Sequence, residues 1–200
     1  SAASDVYKRQ AKVGTGERQV IPITHRTGGC WSQNNWVEVV NTRESSVSAT
    51  IRFKDSDGLQ IATSAVVLAP RSQYHFQASA LLPLGVSGYA EVTGDATSSL
   101  LTQSLVYFHD CSRNQVQSAY ASPGRIAGGS RLMGSFNTFL EMSSQVNLLV
   151  LDQSISADIR TTTYDGVVRE AQLNLNAGHS VGIQLRQDSP FLIPQNSYGS

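Results

Sequence analysis

Polar and apolar residues alternate along several short stretches of the chain, and Gly, Ser, Asn, Asp or Pro residues bound each stretch. In one of them, Ala49, Ile51 and Phe53 fall on one face of an extended chain, and the polar residues between them fall on the other. Such alternation predicts β-strands with one buried face. The first half of the chain predicts seven strands, at 20–24, 36–41, 49–54, 59–68, 74–78, 89–93 and 99–108.

A second occurrence of the same pattern lies 108 residues further along the chain. Residues 47–72 align with residues 155–180 without a gap, and eight of the 26 positions are identical. An Asp-Gly pair, a frequent hairpin turn, begins at Asp57 in one copy and at Asp165 in the other. The alignment predicts two copies of one all-β unit.

Extending this alignment past residue 180 requires one inserted residue and then places Tyr89 against Tyr198. The second copy is therefore expected to stop where its last two strands should begin. Such a truncated copy would expose sheet edges and core after about residue 135.

Short strands at this density favour an immunoglobulin-like or fibronectin-like β-sandwich over a barrel or a parallel sheet. The expected organisation is a first sandwich repeat at 11–118, a linker rich in Gly and small residues at 119–134, and an incomplete second repeat at 135–200. Residues 1–10 resemble a translated sequencing-adaptor artefact, so they are treated as a non-native leader and left out of the fold.

Composition excludes several classes of protein. Hydrophobic residues make up 40% of the chain and charged residues 15%, which suits a folded core. Lys plus Arg equals Asp plus Glu at 15 each, and no basic cluster stands out, so a nucleic-acid partner is not expected. No apolar run is long enough to predict insertion into a membrane.

Cys30 and Cys111 are the only cysteines, and they permit one disulfide. In a seven-strand sandwich the first and last strands run the same way, which would bring the two thiols to one pole. Such a bridge would stabilise the repeat by about 4 kcal/mol in the chain-entropy model. The alternative is two independent thiols.

Candidate catalytic and metal sites are weak. Asp55 and Asp57 have the spacing of the first ligands of a calcium loop, but no later carboxylate follows, so a plain hairpin turn is favoured. The four histidines are scattered, and His109 beside Cys111 lacks an orienting third group. We therefore expect no enzymatic activity, no metal and no cofactor.

Aromatic residues offer one candidate for binding. Most of them occur at inward-facing phases and are expected in the core. Trp31, in a Gly-Gly-Cys-Trp loop, and Tyr107 are the two candidates for rings that face a ligand. Exposed rings of this kind stack on sugars, so these two side chains carry the alternative function of carbohydrate binding.

Three segments carry a resemblance to a known kind of protein: the strand at 36–41 with its polar turn, the hairpin at 53–58, and the segment 117–123 that leads to 135–138. With them the chain resembles tandem immunoglobulin/fibronectin-like β-sandwich repeats of large exported bacterial proteins, over most of residues 19–198. The resemblance implies a structural or adhesive segment at the cell surface or outside the cell.

The same resemblance implies that the partners are neighbouring repeats and an unknown protein or glycan. The alternative is a carbohydrate-binding accessory module of an exported hydrolase. That alternative predicts an exposed aromatic pair on one sheet face.

Overall fold

The computed structural model is all-β, with antiparallel sheets and a short turn of 3-10 helix at Ala78–Ala80. The chain divides into two compact units, unit 1 (Ser1–Ala127) and unit 2 (Gly128–Ser200). The structure describes residues 18–28, 31–95, 100–110, 115–124, 132–139 and 144–200.

Unit 1 contains nine described strands, and the seven long stretches predicted from the alternation coincide with seven of them. The strands are β1 (Arg18–Thr24), β2 (Thr27–Gly28), β3 (Trp31–Asn41), β4 (Val47–Asp55), β5 (Gln60–Leu68), β6 (Gln73–Gln77), β7 (Ser87–Gly94), β8 (Leu100–Asp110) and β9 (Gln115–Pro123).

These strands form two antiparallel sheets. Sheet A has the order β1-β7-β4-β5. Sheet B has the order β2-β3-β8-β9, and β6 also pairs with β3. Apolar side chains from both sheets form one buried cluster, with Val37 and Val39 from sheet B against Ile51 and Phe53 from sheet A. Unit 1 is therefore arranged as a β-sandwich, because alternate residues of strands in both sheets, such as β1, β3 and β4, face this cluster.

The order of the strands departs from the constant-type immunoglobulin order. That order places the second strand beside the first and the fifth, and the sixth beside the third and the seventh. In unit 1 the second long strand, β3, pairs with β6 and with the late strand β8, and β7 pairs with β4 and with the first strand β1. Compared with that order, β1 and β8 have thus exchanged sheets, which alternation alone does not predict.

The predicted connection at 119–134 begins later than expected. β9 runs from Gln115 to Pro123 and pairs with β8, so that Tyr107 faces Ala119. Small and polar residues suggested a linker, but they tolerate an exposed edge strand whose hydrogen bonds go to β8. The first five residues of the predicted linker are therefore part of unit 1.

Unit 2 has six described strands. β10 pairs with β15, β12 with β13, and β11 with β14, all antiparallel. A single bridge between Thr163 and Gly199 connects the end of β12 to β15. The strands are β10 (Phe136–Asn137), β11 (Gln145–Leu149), β12 (Ile155–Thr162), β13 (Val168–Leu175), β14 (Ser180–Gln184) and β15 (Tyr198–Gly199).

The pairings of unit 2 recur in unit 1. Val37 of β3 faces Phe76 of β6, and Val146 of β11 faces Ile183 of β14. The hairpin of β4 and β5 corresponds to the hairpin of β12 and β13, and both turns carry a glycine with positive φ. The arrangement β10-β15-β12-β13 thus follows the order β1-β7-β4-β5 of sheet A.

Hydrogen bonds outside the ladders identify equivalent residues. The Asn41 amide donates to the Ser72 carbonyl at 2.8 Å, and the Val150 amide donates to the His179 carbonyl at 3.0 Å. Each bond lies one position beyond the last pair of its ladder, and its acceptor is the residue just before the partner strand begins. Ser72 therefore corresponds to His179, one position earlier than the gapless alignment places it.

A β-bulge explains this shift. In unit 1, Lys54 faces Gln60 while Phe53 faces Ala62, so Ile61 is an extra residue in β5. The ladder between β12 and β13 has no such irregularity. The gapless alignment is therefore wrong beyond the hairpin turn, since unit 2 lacks one residue that unit 1 contains.

Two glycines mark the equivalent points of β7 and β15. A Cβ atom on Gly88 would lie 2.1 Å from the Lys54 carbonyl oxygen, and one on Gly199 would lie 1.9 Å from the Thr162 carbonyl oxygen. Both strands approach their neighbour so closely that only glycine fits. Gly88 therefore corresponds to Gly199, and the predicted match of Tyr89 with Tyr198 is wrong.

Candidate functional surfaces

The two cysteines predicted to form a disulfide, Cys30 and Cys111, lie outside the described residues, and so does the side chain of Trp31. The backbone of Trp31 begins β3, where it faces Asp110 at the end of β8. The last described pair of this ladder therefore consists of the chain neighbours of the two cysteines. The disulfide and the ligand-facing role of Trp31 stay predictions.

Tyr107 lies on the outer face of sheet B, away from the buried cluster, and its side chain is half-buried. Trp36 lies on the same face because Val37 and the buried Asn35 on either side of it point inward. Leu105 faces Trp36 across the ladder and lies two residues from Tyr107. Trp36 is therefore an exception to the expectation that most of the rings face the core, and we call Trp36, Leu105 and Tyr107 the outer patch.

Polar groups border the outer patch. The Gln103 side chain donates a hydrogen bond to the Glu38 carboxylate on the same face. The ring of His75 lies over Trp36, with 4.8 Å between ring centroids and 46° between planes. Half-exposed rings beside amide, carboxylate and imidazole groups can stack on an apolar ligand face and hydrogen-bond hydroxyls at its rim.

A buried asparagine beneath the outer patch holds β3 and β8 in position. Asn35 is fully buried, and its amide group donates to the Ser104 hydroxyl at 2.8 Å and to the Leu105 carbonyl at 3.0 Å. Its side-chain oxygen accepts from the Thr24 amide at 3.0 Å, which ties sheet A to sheet B. The backbone under Trp36 and Leu105 is thereby fixed by hydrogen bonds on its inner side.

Sheet A carries an ion-pair cluster on its outer face. Glu91 is buried, and its carboxylate accepts from the Arg18 guanidinium at 3.0 Å and from the Lys54 ammonium at 2.5 Å. Burial alone would raise the pKa of Glu91, but the hydrogen bonds from Lys54 and Arg18 outweigh it and lower that pKa below its usual value. Lys54 also lies 5.6 Å from the ring centroid of Tyr89. The groups satisfy one another, which indicates a structural cluster.

Unit 2 carries a second group of aromatic rings that sequence reasoning missed. Tyr164 and Tyr198 stack with 4.9 Å between centroids and 12° between planes, and Phe139 stacks on Tyr198 at 6.0 Å and 29°. Their exposed fractions are 61% for Tyr164, 51% for Tyr198 and 38% for Phe139. These residues come from a turn and two short segments far apart in sequence, so no periodicity links them. We call them the aromatic column.

The turn that carries Tyr164 is well ordered by hydrogen bonds. The Val167 amide donates to the Thr163 hydroxyl at 3.1 Å, and the Gly166 amide donates to the Thr163 carbonyl at 2.9 Å. The Thr163 hydroxyl also donates to the Asp165 carboxylate at 2.5 Å, which lowers the pKa of Asp165. The column is therefore held at one end by a fixed turn beside a charged carboxylate.

The weak candidate for calcium is a hairpin turn. The Asp55 side chain accepts hydrogen bonds from the amides of Asp57 at 3.0 Å and Leu59 at 2.9 Å. Its carboxylate thus orders the turn between β4 and β5, in agreement with the favoured interpretation. Within the described part of the chain, no group of three or more His, Cys, Asp or Glu residues could hold a metal ion.

Comparisons with known proteins give no family. No family model matches the chain, and no curated protein matches it. Among the described residues, no helix is long and apolar enough to cross a membrane. The chain is similar to a solved structure described as the crystal structure of Thermotoga maritima 1070, with 15% identity, a TM-score of 0.45, and coverage of 58% of this chain and 98% of that chain. A likeness this remote supports no argument about function.

Proposed function

We propose that this chain is a non-enzymatic structural or adhesive segment of a secreted or cell-surface protein, built from tandem β-sandwich repeats related to the immunoglobulin and fibronectin type. The recurrence of one pairing pattern in both units carries the proposal. Arrays of similar units bury a core in each unit and act as spacers, while recognition is left to exposed surfaces.

The test is to read the source gene through both ends of this chain. The proposal predicts an export signal and further copies at a spacing of about 110 residues, in the range of ordinary β-sandwich domains. A compact reading frame with neither feature would contradict it. Hydrolysis or group transfer by the pure protein in a broad substrate screen would contradict the non-enzymatic part.

A second candidate function, that of a carbohydrate-binding module, is favoured by the outer patch. Trp36 and Tyr107 provide two half-exposed rings on one sheet face, with the Glu38 and Gln103 side chains beside them. Apolar ring faces would stack against the C–H faces of a sugar, and the polar rim would bind its hydroxyls. Such an arrangement suits a neutral polysaccharide, because the chain has no net charge.

Electrophoresis through gels that contain single neutral polysaccharides tests this second function. Retardation by at least one polysaccharide is expected, and Trp36→Ala or Tyr107→Ala should abolish it without changing the melting temperature by more than a few degrees. Tyr120→Ala is the matched control, since this exposed Tyr of β9 faces Val106 on the other side of sheet B. Equal retardation of all three variants would rule out the outer patch as the binding site.

A further inference from the structure

One edge of β11 in unit 2 differs from the equivalent edge in unit 1. β3 is paired on both edges, by β6 on one side and by β8 on the other. Within the described ranges, its counterpart β11 is paired by β14 alone. The edge of β11 that corresponds to the β8 side of β3 is therefore without a strand among these residues.

The directions of the backbone groups define this edge. The Ser144 carbonyl accepts from the Leu185 amide at 3.0 Å, and the Val150 amide donates to the His179 carbonyl at 3.0 Å. Because successive residues of a strand point their amide and carbonyl groups to opposite sides, the even-numbered residues of β11 bond to β14. The amides and carbonyls of Gln145, Asn147 and Leu149 therefore point to the other edge.

The inward side chains of β3 and β11 also differ in how deeply they are buried. Val37 and Val39 of β3 are completely buried between the sheets of unit 1. Their counterparts Val146 and Leu148 pack against the apolar cluster of unit 2 but remain half-buried. An additional strand beside β11 would cover this apolar surface, as β8 does beside β3.

We propose that this edge of β11, which has no strand beside it among the described residues and is called the free edge below, accepts an extended polypeptide segment with the alternation of β8, added antiparallel as a further strand. In unit 1 the inward positions of β8 are Leu100, Thr102, Ser104 and Val106, which are small or apolar. β11 itself has no charged residue, so an uncharged segment docks without burying a charge. Backbone hydrogen bonds would supply the affinity, and the inward side chains the specificity.

This inference rests on the repeat relationship proposed above, because β8 in unit 1 is the template for the incoming segment. A synthetic peptide with the sequence of the uncharged part of β8, residues 100–107, serves as the probe. Amide hydrogen exchange of the full chain is followed residue by residue by NMR, with and without the peptide. Without it, the amides of Val146, Leu148 and Val150 should exchange slowly, and those of Gln145, Asn147 and Leu149 rapidly.

Added peptide should slow exchange at Gln145, Asn147 and Leu149 at least tenfold, and a peptide of the same composition in shuffled order should not. Asn147→Pro removes one donor from the free edge and should abolish the effect, whereas Asn147→Thr keeps the amide and should preserve it. Both variants should retain slow exchange at Val146 and Leu148, which shows that unit 2 is still folded.

Two results would overturn the inference. Slow exchange at Asn147 and Leu149 in dilute protein without peptide would mean that the edge is already covered. Rapid exchange that the peptide does not change would mean that the edge accepts no strand. In both cases, slow exchange at Val146 and Leu148 would leave the proposed repeat relationship intact. Rapid exchange at these two residues would count against that relationship as well.

Discussion

At the scale of single residues, Asn35 is the clearest test of the polar core of unit 1. Asn35→Ala removes the partners of the Thr24 amide, the Ser104 hydroxyl and the Leu105 carbonyl. Buried polar groups without partners cost free energy, so we expect a loss of about 3 kcal/mol from the free energy of unfolding, measured with urea. Asn34→Ala, one residue away on the outer face, should cost about 0.5 kcal/mol or less. Similar losses for both variants would contradict the role of Asn35.

Glu91 should make stability depend on pH. Although burial opposes ionisation, the hydrogen bonds from Lys54 and Arg18 leave its native pKa below the ordinary 4.5. A lowered native pKa stabilises the fold above pH 4.5, and this contribution is lost as the pH falls through the native pKa. The advantage of the native protein over Glu91→Gln should therefore be largest near neutral pH and shrink in acid.

Urea unfolding at a series of pH values measures this advantage. Glu170→Gln is the control, because Glu170 forms an exposed pair with Arg160 at 3.6 Å and its substitution should have little effect at any pH. A constant difference between native protein and Glu91→Gln from neutral pH into acid would contradict the assigned pKa direction.

Residue positions show where sequence reasoning succeeds and where it fails. Tyr107 lies on the outer face, and its role as a ligand-facing ring stays a prediction. Trp36 also faces outward, although most of the rings are expected to face the core, because alternation gives two faces and does not say which one is buried. The aromatic column was missed, since Phe139, Tyr164 and Tyr198 come together only through the pairing of β10 with β15 and the bridge at Thr163. No spacing in the sequence encodes that contact.

At the scale of strands, Gly88 and Gly199 mark the closest backbone approaches. Gly88→Ala places a Cβ 2.1 Å from the Lys54 carbonyl, so β7 and β4 must separate, and we expect a loss of about 2 kcal/mol or more from the free energy of unfolding of unit 1. Gly199→Ala should destabilise unit 2 for the same reason. The matched control is Gly134→Ala, since a Cβ at Gly134 meets nothing within 4 Å. If the melting temperatures of Gly88→Ala and Gly199→Ala equalled that of Gly134→Ala, the close backbone approach at these glycines would be contradicted.

The strands themselves were largely predictable, because each buries alternate residues against one core. The alignment of the two units was less predictable. The extra Ile61 in the bulge of β5 shifts the residues from there to β6 by one position, and a gapless match of Ser72 with Ser180 hides this shift. A bulge changes backbone pairing without leaving a clear mark in composition, so only the register reveals it.

At the scale of the whole molecule, the two units should differ in resistance to proteolysis. β3 is bonded on both edges, whereas β11 in the described part of unit 2 is bonded on one. Limited proteolysis followed by mass spectrometry should therefore cleave after about residue 135 first and leave unit 1 intact longer, because cleavage follows local opening. Equal resistance of both regions would contradict this expectation.

Topology was the least predictable feature. The exchange of the first and last strands between sheets leaves the alternation of every strand unchanged, so β1 and β8 look the same in sequence whichever sheet they join. The sheet that each strand joins is decided by long-range pairing and by polar contacts between the sheets. One such contact is the hydrogen bond that the Thr102 hydroxyl donates to the Gln19 side-chain oxygen at 2.8 Å. Those contacts join residues far apart in the chain.

The measurement that tests the shared plan most directly is a set of cross-strand proton contacts in unit 2, observed by NMR. The account predicts contacts between Val146 and Ile183 and between Thr161 and Arg169, as the register of the ladders requires. A contact of Thr161 with Glu170 instead would restore the gapless alignment and contradict the assignment of the bulge. The absence of any contact between β11 and β14 would contradict the claim that both units follow one plan.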